Sequence, residues 1–450
     1  MLAVAGAELV LQEAYHRVSS SSVGLVVVLA AALLVTAAAV LMRRFTSGRL
    51  ADLLQRLIDL LAAGFAAYWV VGGTLLGWWH SGMPGTVLPA VAGLLVVLTV
   101  LLMVVVLIVL LLLRANADLW ARARLALLVA GLLFVGSQPV LGTLRAKNLA
   151  WPPGFQAQDA AADAGRVATI VLLLDELNAR NAGPIAAVLR RHGLQVDSRA
   201  VPSVGDATAK VLPAMFTGQL FSDARPCWLT TICSGNLALD FSRVQATRPD
   251  IDVVGFYHPY CAIQGLRTCE RPAIDLAVFD AQRWQCGLWR RFGWPHGVDT
   301  ASCRASAVGA WGAMTERVLA GLQRAPTLTR GGLLFAHLPL PHPPGHSDDG
   351  ALAQHYDANL LRAASAVGQA LGTAAGNGLA LRVLIFSDHP LRQPAWCSAY
   401  PGFFTGACTP VQRLLDDKVP LIVAGATTPS LAAHTSNLHV FALMAGWVVR

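Results

Sequence analysis

Four stretches without a single Asp, Glu, Lys or Arg, at residues 18–42, 60–79, 81–113 and 125–144, constrain this 450-residue chain more than any other feature. Each is long enough to cross about 30 Å of hydrocarbon as a helix. A core helix of a soluble protein is apolar along one stripe, rarely on every face over such a length. The sequence therefore predicts an α-helical membrane domain over residues 1–144, with four transmembrane helices near 20–42, 57–79, 87–113 and 124–144. These runs hold most of the apolar excess of a chain that is 55% hydrophobic and only 13% charged.

Arginine placement orients the helices, because short loops rich in Arg and Lys stay in the cytoplasm. Arg43, Arg44, Arg49 and Arg56 follow the first run, and Arg114, Arg122 and Arg124 follow the third. The loop from His80 to Gly85 has neither Arg nor Lys, so it faces outward, and everything after Arg145 is delivered outside the cell membrane. All eight cysteines, at 227, 233, 261, 269, 286, 303, 397 and 408, lie in that outer part. An even set there suits disulfides made in an oxidising compartment. Neighbour pairs Cys227 with Cys233, Cys261 with Cys269 and Cys397 with Cys408 fit the spacing, among 105 connectivities open to eight cysteines. The net charge of +8 owes much to the loop arginines, so it speaks for anionic lipid and against nucleic acid as a partner.

Residues 145–166, with Trp151 read as interfacial and two prolines beside it, form a juxtamembrane linker. VATIVLLL at 167–174 then has the length and β-branched content of a buried strand. Helix-like GPIAAVLRRHG and a strand near LQVDSRAV follow, with further strands at VVGFY, GLLFAHL, RVLIFSD and VPLIVAG and helices near 305–323 and 351–371. Such alternation predicts an α/β domain over 167–450 with a mostly parallel central sheet.

Ligands of open α/β sheets bind beyond the carboxyl ends of the strands. Three strands end on polar residues: LLLDELNAR supplies Asp175 and Glu176, FAHLPLPHPPGH supplies His337, His342 and His346, and LIFSDHP supplies Asp388 and His389. Carboxylates with imidazole suit zinc or manganese, with magnesium as a third divalent cation. Thr208, in SVGDATAKVLPAMFTG, stands where a loop enters a helix, and a helix amino terminus binds phosphate through its free N–H groups. A threonine hydroxyl needs activation, which coordination to a divalent cation supplies. Thr208, Asp388, His389 and one of Asp175 and Glu176 are the expected metal site. Lys210 either neutralises phosphate or is a solvated surface lysine.

SVGDATAKVLPAMFTG resembles the nucleophile segment of the membrane-bound phosphoethanolamine transferases. The layout of 167–450 also resembles lipoteichoic acid synthase and the phosphoglycerol transferases of the alkaline phosphatase/sulfatase superfamily. The resemblance implies that Thr208 accepts the phosphoryl group, that Glu176 is the acidic ligand of the first strand, and that Asp388 and His389 are a ligand pair. It also implies that His342, and less directly His337, contacts substrate phosphate or protonates the leaving oxygen. The implied activity moves phosphoethanolamine or phosphoglycerol from a phospholipid headgroup donor to a glycolipid or glycan acceptor of the cell envelope. The implied location is the bacterial inner membrane, with the catalytic domain in the periplasm. A phosphodiesterase, a phosphatase or a sulfatase-like hydrolase is the alternative, and a decayed membrane scaffold the second. Sulfate-ester hydrolysis is disfavoured, because sulfatases oxidise a Cys or Ser and this position is threonine. The sequence departs from the resembled family at Pro390, where glycine is usual, and lacks the later histidine motif, with His434 standing farther on.

Overall fold

The computed structural model describes residues 145–153, 167–228, 230–272, 300–344, 351–399, 411–426 and 429–445. The four apolar runs and the membrane domain read from them lie outside the described residues. So do Cys286, Cys408 and His346. Among the described residues no helix is long and apolar enough to cross a membrane.

A seven-stranded sheet organises the domain. In chain order its strands are β1 (Val167–Leu174), β2 (Gln195–Pro202), β3 (Ile251–Val254), β4 (Thr268–Glu270), β5 (Gly332–Leu338), β6 (Ala380–Phe386) and β7 (Lys418–Gly425). Across the sheet they stand in the order β2-β7-β6-β1-β5-β3-β4. β1 pairs in parallel with β5 and β6, and β3 in parallel with β5 and β4. β7 alone is reversed, antiparallel to both β6 and β2. The sheet is thus mostly parallel, as the alternation of apolar strands and helices predicts. The third strand lies a little upstream of VVGFY, because Gly255 ends the run.

β1 sits at the centre and is apolar at every position but one, as a strand covered on both faces must be. Side chains alternate across it. Ile170, Leu172 and Leu174 join one core with Ile185, Val188 and Leu189 of α1 (Gly183–Arg191), Met314 and Val318 of α3 (Thr300–Arg324) and Leu360, Val367 and Leu371 of α4 (Leu352–Gly376). Val171 and Leu173 join the other with Val211, Leu212 and Met215 of α2 (Thr208–Thr217). Burying each such side chain stabilises by about 1.5–3 kcal/mol before the entropy of ordering it is counted.

Trp151 belongs to this second core rather than to a membrane interface. It is 1% exposed, stacks on Phe216 with centroids 5.3 Å apart, and meets Phe335 and Phe441 edge-on. Its strand, Leu149–Trp151, pairs in parallel with Val244–Ala246. The start of the segment read as linker is therefore integral to the folded domain.

Cys261 and Cys269 form a disulfide, tying the turn after β3 to β4. Cys227, Cys233 and Cys397 are also oxidised.

Candidate active site

The parallel strands β1, β5 and β6 deliver their following residues to one edge of the sheet, and α2 begins there. Asp175 leaves β1 with its N–H donating to the Leu338 carbonyl at the end of β5. Ser387, Asp388 and His389 leave β6, and all three are fully buried. Ser387 Oγ accepts the Leu177 N–H at 2.9 Å, and Asp388 Oδ1 accepts the Glu176 N–H at 3.2 Å, so the two strand ends are laced together.

Thr208 is the first residue of α2. Its hydroxyl donates to Asp388 Oδ2 at 2.6 Å and lies 3.5 Å from His389 Nε2. The Lys210 and Val211 N–H groups close on the Ala207 carbonyl, so the N–H groups of Thr208 and Ala209 have no acceptor within the helix. A hydroxyl, a carboxylate and two amide donors without an intrahelical acceptor converge there.

The loop that leads into Thr208 is pinned to the strand end by side chains that no motif in the sequence marks. Ser203 donates to the Asp388 carbonyl at 2.5 Å. Asn437, fully buried, donates to the carbonyls of Ser387 and Asp388 and accepts the Val204 N–H at 3.0 Å. Asn437 stands in SNLHVFALMAGW, where a lone asparagine gives no sequence signal of its own.

Asp175, Asp388 and His389 place one ligand atom each within 4.8 Å of one another. Asp175 Oδ1 is buried without a hydrogen-bond partner. His389 Nδ1 lies 3.1 Å from the Pro390 carbonyl, and Nε2 faces Asp388 Oδ2 at 3.3 Å and the Thr208 hydroxyl at 3.5 Å. Two carboxylates, an open imidazole nitrogen and an orphaned carboxylate oxygen fit a divalent cation. Burial, and then the charges of Asp388 and Glu176, hold the Asp175 carboxyl well above the ordinary carboxylate value. Burial would also raise Asp388, but His389 and the Thr208 hydroxyl outweigh it and hold this carboxyl low.

Glu176 lies alongside this group with its carboxylate engaged elsewhere. Oε2 accepts the Trp396 indole N–H at 2.8 Å and Oε1 the Arg392 Nε–H at 3.3 Å, while His389 Nδ1 stands 3.9 Å away. Of the acidic pair at the end of β1, Asp175 is the one clustered with Asp388 and His389. Among the described residues Glu176 and Tyr257 are the non-glycine residues at positive φ, 60° and 69°. Strain of this kind persists where the surroundings over-determine the backbone. Burial, then Asp175, pushes the Tyr257 phenol up to about 12.

His337 is fully buried at the end of β5, with Nδ1 2.8 Å from the Tyr260 hydroxyl and Nε2 unpartnered. Burial drops its pKa to about 3, with His342 and His389 adding to the effect against Asp388. His342 stacks on Trp311 at 4.6 Å and meets Trp396 edge-on at 4.8 Å, and burial lowers its pKa too. Both are neutral imidazoles near neutral pH. Lys210 pairs with Asp206 at 2.8 Å, one turn back along the chain. Arg392 and Trp396, in and just before α5 (Gln393–Ala399), come from no motif; their only signal is closeness in sequence to LIFSDHP.

No family model and no curated protein matches the chain. Among solved structures it is similar to a 2-O GAG sulfatase, at 12% identity over 63% of this chain and 70% of that one, with a TM-score of 0.33. It is similar also to the integral membrane lipooligosaccharide phosphoethanolamine transferase A of Neisseria meningitidis, at 11% identity over 79% and 68%, with a TM-score of 0.32. A third is Ps i-CgsB in complex with k-i-k-neocarrahexaose, at 10% identity over 62% and 72%, with a TM-score of 0.32.

Proposed function

We propose that this chain is a metal-dependent phosphoalcohol transferase of the bacterial inner membrane, moving phosphoethanolamine or phosphoglycerol from a phospholipid to an envelope glycolipid or glycan through Thr208. The observation that carries this reading is the buried Thr208 hydroxyl at the start of a helix, hydrogen-bonded to Asp388 at 2.6 Å with His389 Nε2 at 3.5 Å.

Asp175, Asp388 and His389 would hold a divalent cation, zinc or manganese before magnesium, whose charge favours the alkoxide of Thr208 and offsets charge on phosphoryl oxygens. The remaining steps belong to the chain. Thr208 Oγ1 gives up its proton along the hydrogen bond to Asp388 and attacks phosphorus. The new Oγ–P bond forms as the P–O bond to diacylglycerol breaks, and the departing oxygen takes the proton that Thr208 passed to Asp388. The N–H groups of Thr208 and Ala209 take phosphoryl oxygens at the helix terminus. His337 and His342, neutral, contribute as hydrogen-bonding groups rather than as counter-charges. An acceptor hydroxyl then attacks the phosphothreonine, its O–P bond forming while the bond to Oγ1 breaks, and its proton passes through Asp388 back to Oγ1.

Intact-mass analysis of the full chain incubated with phosphatidylethanolamine or phosphatidylglycerol tests this. The native chain is expected to gain one phosphoalcohol mass and release diacylglycerol, while Thr208→Ala and Asp388→Asn gain none. Release of free phosphoalcohol without any acceptor would turn the reading to a phosphodiesterase. No adduct and no diacylglycerol with either lipid, across zinc, manganese and magnesium, would leave the scaffold role.

A further inference from the structure

Asp175, Glu176, Asp388 and His389 are each 3% exposed or less, yet Arg392 beside them keeps 38% of its side chain open to solvent. Its Nε donates one long bond to Glu176 Oε1, and its two Nη groups have no hydrogen-bond partner among the described residues. Glu176 cannot take the whole guanidinium fork, because its second oxygen is held by the Trp396 indole. The other cation near the nucleophile, Lys210, is paired with Asp206.

The backbone under Arg392 is fixed on both sides. Pro390 sets φ just before it. The Leu391 N–H is held by Asn178 Oδ1 at 2.7 Å, and the Gln393 side chain is bonded twice to the Val411 backbone. The Arg392 carbonyl accepts the Trp396 N–H at 3.0 Å. A rigidly mounted guanidinium with a free fork, at the open side of a closed acidic cluster, is built to take two oxygens of one anion. Asp175, Tyr257 and His342 all lie within electrostatic range of its charge.

We propose that Arg392 is the anion clamp of this site: its two Nη groups bind non-bridging oxygens of a phosphate ester, while Glu176 and Trp396 aim the fork. The inference rests on the phosphoryl-transfer reading for the identity of the anion. It adds a substrate contact that no motif in the sequence supplies.

Phenylglyoxal labelling of the native full-length chain in detergent, with manganese present and peptide mapping of the adducts, tests it without relying on any variant to fold. Inorganic phosphate and short-chain phosphatidylglycerol are the two protecting probes. Protection of Arg392 by either, with exposed Arg324 still labelled, supports the clamp, and which probe protects tells free phosphate from lipid headgroup. Protection by neither overturns it. In a second arm, Arg392→Gln is expected to lose about ten- to a hundredfold in calorimetric affinity for inorganic phosphate, with Arg392→Lys regaining only part. An unchanged affinity in Arg392→Gln overturns the clamp. The two readings fail separately. An adduct on Thr208 at the native rate in Arg392→Gln removes the clamp and keeps transfer; phosphate protection with no adduct in the native chain does the reverse.

Discussion

At the scale of single residues the site is a set of groups held in charge states they would not keep in water. His337 shows this most simply. It is buried, neutral and bonded to Tyr260, with a pKa near 3 against 6.5 in an unfolded chain. As pH falls below 6.5 the unfolded chain takes a proton that the folded one refuses, so stability drops by about 1.4 kcal/mol per pH unit until the folded pKa is reached. Asp175 works in the opposite direction, its raised pKa favouring the folded state as acid is added. Urea midpoints of chelator-treated native chain and His337→Asn between pH 6.5 and 4 separate the two: the variant should lose less stability on acidification, and parallel curves would refute the assignment. Thr208, Asp388 and His389 could be picked from sequence because each follows a short apolar or loop string whose geometry is local. Arg392 and Asn437 could not. Their roles depend on where another segment of chain ends up, and a lone Arg or Asn in a polar stretch carries no periodic signal.

At the scale of elements, strands and helices were readable because burial on both faces leaves an unbroken apolar run, as in β1, while α1 and α4 show helical spacing. Sheet order was not, since pairing partners are chosen across hundreds of residues. Trp151 misled for a related reason: an aromatic beside prolines near a membrane looks interfacial, but its surroundings are Phe216, Phe335 and Phe441. Small elements also escaped, among them the three-residue β4, which packs at the sheet edge through its disulfide-linked neighbour. The Cys261–Cys269 link closes a short loop, sequence separation 8, and such a loop is worth about 2–3 kcal/mol of unfolded-chain entropy. Cys261→Ser with Cys269→Ser should lower the free energy of unfolding by that amount, with β3 and the rest of the sheet intact by circular dichroism. A double variant as stable as the native chain would show that packing alone holds β4.

At the scale of the whole molecule, the acidic cluster is a cost that the fold carries until a cation offsets it. Asp175, Glu176 and Asp388 are crowded and buried, and Asp175 Oδ1 has no donor. A divalent ion that binds only the folded state should stabilise by about 2.7 kcal/mol at a hundredfold excess over its dissociation constant. Thermal scans of the full chain are therefore expected to shift upward with zinc or manganese and back with chelator, while Asp175→Asn loses the response; an equal shift in that variant would place the ion elsewhere. The α/β character of residues 167–450 was legible because an unbroken apolar run depends only on local composition, while the four apolar runs before residue 145 lie outside the described residues. The reversed strand β7 carries one more consequence. β2, which leads into the loop of Thr208, touches the sheet only through β7, and β7 is made more than two hundred residues later. During synthesis β2 therefore lacks its sheet neighbour until the chain has been extended past residue 425.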